Sequence, residues 1–168
     1  MLLQRAAAIL SFSIVALVSS AFARPLTGRV CNPNAPLKGL QDAQQAAIED
    51  YGHIILELKD PQAAFDKYIP GGYFQHSAGI ARSGRQPTLD FLIPLFTAPG
   101  VSVYHLRVFA SKGYGFLHYK LDLRGGREAG GTSLAVIDIF KFQGTCIVEH
   151  WDALQEITGT EVNPNAYF

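Results

Sequence analysis

The sequence predicts an α+β fold in which helices come first and an antiparallel sheet follows, with the helices packed on one face of the sheet. Three observations predict it. Apolar residues recur at three- and four-residue steps between Leu40 and Leu58, the step of a helix stripe. From Val101 the period falls to two, the step of a strand. The period-two runs are joined by short, mostly Gly-bearing connections, which link antiparallel neighbours into a meander. The 168 residues, 48% of them apolar, suit one domain, and eleven Phe with seven Tyr exclude a disordered chain.

Residues 1–23 read as a secretory signal peptide and stand outside the fold. Met1–Arg5 is a short positive region, Ala6–Ser19 an apolar run, and Ala21-Phe22-Ala23 a small-x-small cleavage pattern. The run is about 14 residues, shorter than the roughly 20 of a spanning helix. Cleavage after Ala23 predicts a secreted protein with no membrane partner. Residues 24–38, with Pro25, Pro33 and Pro36, read as an extended arm. The folded domain is 39–168.

Within it, Leu40, Ala43, Ala47, Tyr51, Ile54, Ile55 and Leu58 form the stripe of a first helix. Asp60 offers a cap and Pro61 a first-turn position for a second helix ending near Tyr68, before Pro70-Gly71-Gly72. Pro87 starts a third, Thr88–Phe96, which Pro94 kinks or shortens. Four strands follow over Ser102–Ala110, Gly115–Arg124, Thr132–Gln143 and Cys146–Gln155, separated by Ser111-Lys112-Gly113, the Gly-rich Gly125–Gly131 loop and Gly144-Thr145.

Fourteen basic and fourteen acidic side chains provide no polybasic field, which argues against nucleic acid as a partner. Cys31 and Cys146 are the only two cysteines, and no CxxC occurs. In an oxidising compartment such a pair reads as a disulfide tying down the arm, worth roughly 4–5 kcal/mol for the loop it closes. Two buried free thiols are the alternative.

Chemistry is expected where the alternation breaks. Leu134, Val136, Asp138, Phe140 and Phe142 share one strand face, so one carboxylate sits among four large apolar residues. Desolvation raises a carboxyl's proton affinity toward the range where it both takes and gives a proton. Asp138 would otherwise cap a backbone amide, pair with a cation, or lie on an exposed face. If Gly144-Thr145 is a two-residue turn, Asp138 faces Trp151 across the hairpin, and a bulge would exchange Trp151 for His150.

His118 alternates with Phe116, Lys120 and Asp122, opposite the apolar Leu117, Tyr119 and Leu121, so its own pattern also fits a solvated face. His76 lies in an aromatic loop, and His53 and His105 read as structural. Neither HxH nor HExxH occurs, and no GxSxG or phosphate-cradling loop is present. No metal and no cofactor are expected.

Tyr73-Phe74-Gln75-His76, Asp138-Ile139-Phe140-Lys141 and Ile147-Val148-Glu149-His150-Trp151-Asp152-Ala153-Leu154-Gln155, with Asn163…Tyr167-Phe168, resemble the SnoaL-like polyketide cyclase branch of the nuclear transport factor 2-like superfamily, from about Leu40 to the end. The resemblance implies a cone-shaped α+β barrel, helices closing over a curved antiparallel sheet around an apolar pocket. It implies a cofactor-independent acid/base enzyme and, by family habit, a homodimer. Asp138 matches the aspartate that such cyclases use in an aldol closure. His118 and His76 would line the pocket as proton donors, with Trp151 and Gln155 at its wall. Phe140, Tyr73 and His150 complete the expected substrate contacts.

The expected reaction is proton transfer at a carbon next to a carbonyl, by cyclisation, isomerisation or dehydration, in a dry pocket of about 300–1,000 Å³. Two rivals use the same scaffold. One is a secreted, non-catalytic binder of a small hydrophobic ligand; the other is a dimerising protein whose pocket is filled by its own Phe and Trp side chains.

Overall fold

The computed structural model describes residues 30–168. The expected signal peptide, 1–23, and residues 24–29 of the arm lie outside the described residues. The elements run α1 (Leu40–Gly52), a π-helical turn (His53–Glu57), α2 (Pro61–Tyr68), β1 (Phe74–Gln75), α3 (Arg85–Thr97), β2 (Ser102–Ser111), β3 (Tyr114–Leu123), a 3-10 turn (Arg127–Ala129), β4 (Thr132–Gln143) and β5 (Cys146–Glu156). The sheet order is β1-β5-β4-β3-β2. The fold class is the expected α+β, helices against one sheet.

The sheet is mixed, which corrects the purely antiparallel expectation. Phe74 and Gln75 pair in parallel with Glu149 and His150 at the edge of β5. Two residues are too few to show any period in a sequence.

α2 begins as its residues dictate. The Asp60 side chain accepts a hydrogen bond from the Ala63 amide at 2.9 Å, and Pro61 occupies the first turn, where a missing N–H costs nothing. The first helix departs from expectation. It was expected to run uninterrupted to Leu58, but its last turn is π-helical, with the Leu58 amide reaching the His53 carbonyl five residues back at 3.0 Å. The extra residue per turn rotates the stripe, so that Leu56 is buried at 2% and Leu58 stands 60% exposed. Tyr51, Ile55 and Leu56 point into the space under the sheet. α3 carries Pro94 in its interior and starts three residues earlier than expected.

α1 lies close against the sheet because Gly115 has no side chain. A Cβ there would meet Ile48 Cγ1 and Phe142 Cε2, both at 2.9 Å. The core under the sheet is built from Ile48, Phe65, Leu89, Leu117, Phe140 and Ile147, among others.

The arm is bonded to the β4–β5 turn. Cys31 and Cys146 form a disulfide across 115 residues. Beside it, the Asn32 amide donates to Thr145 Oγ1 at 2.8 Å and the Thr145 amide donates to the Asn32 carbonyl at 2.9 Å.

Two register shifts matter for what faces inward. One lies between Tyr104 and Arg107, where His105 has φ +57°. The other is on β5: Lys141 pairs with Glu149 and Phe142 with Ile147, leaving Val148 as the extra residue. Beyond it Asp138 pairs with Asp152, Ile139 with Trp151 and Phe140 with His150. The unbulged register, which set Asp138 opposite Trp151, is therefore corrected. The bulge turns His150 inward and Trp151 outward, because a one-residue slip moves every later side chain to the other face.

Candidate active site

Asp138 sits on the inner face of β4, 9% exposed, at a cavity formed between the sheet and the helices. Both of its oxygens are engaged. Tyr119, on the inner face of β3, donates its hydroxyl to Oδ2 at 2.9 Å, and His150 Nε2 lies 3.1 Å from Oδ1. On the far side of the same ring, His150 Nδ1 is 2.8 Å from Gln75 Oε1.

Gln75 settles which imidazole nitrogen carries hydrogen. Its Oε1 also receives the Ser77 amide N–H at 2.9 Å, so it acts as an acceptor. Nδ1 must then donate to it, leaving Nε2 toward Asp138. The Asp138 contact is therefore made by Nε2, on the side of the ring away from Gln75. Gln75 reaches this place through the parallel pairing of β1, which sets it beside His150. Its Nε2 donates to the Tyr73 hydroxyl at 3.3 Å.

Three phenols join this group. Burial pushes the proton affinities of Tyr51, Tyr73 and Tyr119 upward; the negative charge of Asp138 adds to the shift in all three, and its hydrogen bond does so for Tyr119. All three remain protonated donors across the physiological range. The other walls are apolar, including Leu117, Phe140 and Phe96. Phe91 and Leu154 line the cavity while 44% and 53% exposed, and so mark its mouth. The cavity measures about 80 Å³, smaller than the range expected from drug-sized pockets.

Asp152 lines the same space. Asp138, His150 and Asp152 offer ligand atoms within 4.8 Å of one another, a donor set suited to a divalent cation.

Of the residues singled out from sequence, the structure brings Asp138, Phe140, Tyr73 and His150 together at the cavity. It places His118, His76, Trp151 and Gln155 elsewhere. His118 is on the outer face of β3, where strand alternation alone puts it, with Arg107 Nη1 3.2 Å from its Nδ1. Burial first, and Arg107 second, lower its proton affinity. Its ring and that of His105 both stack on Phe168, with centroids 5.1 Å apart in each case. Gln155 faces the same outer depression as His118 and Tyr167. His76 stacks on Trp151 with centroids 4.5 Å apart and planes 6° apart, its Nε2 3.3 Å from Glu149.

Sequence reasoning missed Tyr51, Gln75, Tyr119 and Asp152 as site residues. Tyr119 carried a signal, being the one polar-tipped residue on the inward face of its strand. Tyr51 lay in the helix stripe and read as core. Gln75 and Asp152 had none, because a two-residue edge strand and a bulge decide where they point.

The helices close over a hydrogen-bonded polar floor in an otherwise apolar cavity, an α+β fold built around a pocket. Among solved structures, the chain is similar to a nuclear transport factor 2-like protein of unknown function from Mesorhizobium loti, at 19% identity and TM-score 0.53, over 67% of this chain and 91% of that one. It is also similar to AclR of Streptomyces galilaeus, named as a candidate hydroxylase, at 13% identity and TM-score 0.53, over 68% and 80%. No family model and no curated protein matches the sequence. The chain has the nuclear transport factor 2-like fold.

Proposed function

We propose that the chain is a cofactor-independent acid/base enzyme of the SnoaL-like kind, moving a proton at the carbon next to the carbonyl of a small hydrophobic compound. The observation that carries this reading is the 3.1 Å contact of His150 Nε2 with Asp138 Oδ1, backed by Gln75 at Nδ1, at the floor of an apolar cavity. A carboxylate in contact with an imidazole forms a unit that takes up a proton and returns it.

In the reaction, the carboxylate takes the proton from carbon. The C–H electron pair becomes the C=C bond of an enolate and the carbonyl pair moves onto oxygen. Return of a proton at another atom gives an isomer; attack of the enolate carbon on a second carbonyl gives an aldol ring; departure of a β-hydroxyl as water gives dehydration. Tyr119 keeps the carboxylate oriented, and Gln75 keeps the imidazole in the tautomer that faces it.

Export is part of the proposal. The sequence start reads as a signal peptide, and the Cys31–Cys146 disulfide is compatible with an extracellular protein.

The test is deuterium incorporation from heavy water into small neutral ketones, followed by NMR with the wild-type chain and Asp138→Asn. Incorporation that the variant abolishes supports the enzyme. Saturable ketone binding with no incorporation above the solvent rate makes the chain a binder and removes the reading.

A further inference from the structure

Removing a proton beside a carbonyl places negative charge on oxygen, and a hydrogen-bond donor must meet it. The two histidines expected to donate lie outside the cavity. Tyr119 has already committed its proton to Asp138. Tyr51 has not. Its side chain is 2% exposed and lines the cavity, and its hydroxyl has no hydrogen-bond partner among the described residues. No fully enclosed polar side-chain atom of the described residues lacks a partner, so this hydroxyl opens onto the void. An unpartnered donor in an apolar space is costly unless something occupies it. Tyr73 accepts from Gln75, which leaves its own proton uncommitted, and its side chain lines the same cavity.

We propose that Tyr51, assisted by Tyr73, forms an oxygen subsite that receives the carbonyl of a neutral ligand. The catalytic consequence rests on the acid/base reading above; the binding consequence does not. Charge narrows the ligand class. Asp138 and Asp152 both line the cavity, and no Lys or Arg is among its lining residues, so a carboxylate or phosphate ligand meets two carboxyl groups with no lysine or arginine to offset them. Size narrows it further. About 80 Å³ encloses only the reacting end of a compound, and any apolar remainder lies along Phe91 and Leu154 at the mouth. The class is a compact neutral ketone or aldehyde, extended by hydrocarbon on the side away from its oxygen.

The test uses the full disulfide-bonded chain and cyclohexanone labelled with carbon-13 at the carbonyl. Affinity is read by NMR titration, and the carbonyl stretch by isotope-edited infrared spectroscopy. Tyr51→Phe keeps the ring against Phe65, Tyr68 and Phe140 and removes only the hydroxyl. The expected result is an affinity about 3–10-fold weaker and a stretch shifted up toward its value in apolar solvent. Methylenecyclohexane, the isostere without oxygen, binds both forms alike, and cyclohexanecarboxylate binds the wild type at least tenfold more weakly than cyclohexanone. An unchanged stretch and affinity in Tyr51→Phe overturns the proposal, as does preference for the carboxylate or no saturable cyclohexanone binding to the wild type. Exchange catalysed by the wild-type chain separates the two readings. A chain that catalyses no exchange but still shifts the stretch through Tyr51 keeps the subsite and loses the enzyme.

Discussion

His150 Nε2 stands 3.1 Å from Asp138 Oδ1, on the side of the ring opposite the nitrogen that Gln75 holds. The constraint comes from outside the pair. Gln75 Oε1 accepts from both the Ser77 amide and His150 Nδ1, so the ring cannot turn its protonated nitrogen toward Asp138 without losing a buried hydrogen bond. A strand of two residues thereby sets the protonation geometry of the floor of the cavity.

Asp138→Asn retains the shape of the carboxylate and an oxygen for Tyr119, but it cannot accept a proton from carbon. Deuterium exchange into ketones is expected to fall by about 10²–10⁴-fold, with an unchanged circular dichroism spectrum. Exchange at the wild-type rate in a folded Asn variant excludes Asp138 from the chemistry.

Gln75→Leu removes the acceptor that holds Nδ1–H. The neutral His150 ring is expected to move to the Nε2–H tautomer and donate to Asp138, and the nitrogen-15 shifts of the imidazole report this directly. Exchange falls with it, by no more than the roughly 10⁴-fold that a wrong tautomer costs a catalytic triad. Gln75→Glu, which still offers an acceptor, keeps the Nδ1–H form. Identical nitrogen-15 shifts in the wild type and the Leu variant contradict the assignment.

Replacing both Cys31 and Cys146 with Ser opens a loop closed across 115 residues. The chain-entropy estimate puts the loss at about 4–5 kcal/mol, measured by urea unfolding of oxidised wild type against the double variant. The Asn32–Thr145 hydrogen bonds remain, so the arm is expected to loosen with the rest of the fold standing. A loss below about 1 kcal/mol means the arm is held by those bonds alone.

His118 contributes to the pH dependence of stability. Burial and then Arg107 hold its folded proton affinity below the ordinary value of 6.5. The unfolded chain therefore binds the proton first as pH falls. Stability contributed here is complete above about pH 7, declines as pH drops through 6.5 and levels off below the folded value. His118→Gln is expected to flatten that part of the curve in thermal unfolding between pH 7.5 and 5. An equally steep decline in the variant assigns the dependence to another group.

Much of the scaffold was legible in the chain. The Asp60-Pro61 start of α2, the period-two runs of β2 to β5 and the inward side of β4 follow from residue types and spacing, because caps, proline and strand alternation act over a few neighbouring residues. Alternation also put His118 on the outside, against what the family resemblance implied. Trp151 and Gln155 went to the outer face for the related reason that a single extra residue, Val148, inverts the parity of β5 after the turn, and His76, following β1, stacks on Trp151 there.

By itself the sequence determined that helices would precede a sheet, that Asp138 would lie among large apolar side chains, and that Cys31 and Cys146 were a candidate pair. Tertiary structure alone decided that His150 rather than Trp151 meets Asp138, that Gln75 reaches His150 from an edge strand, and that Tyr51 is left with an open hydroxyl. Local preferences are set by neighbours a few residues away. The members of this site come from α1, β1, β3, β4 and β5, and their meeting depends on one bulge and one parallel pairing, whose energies are settled by packing between elements far apart in the chain.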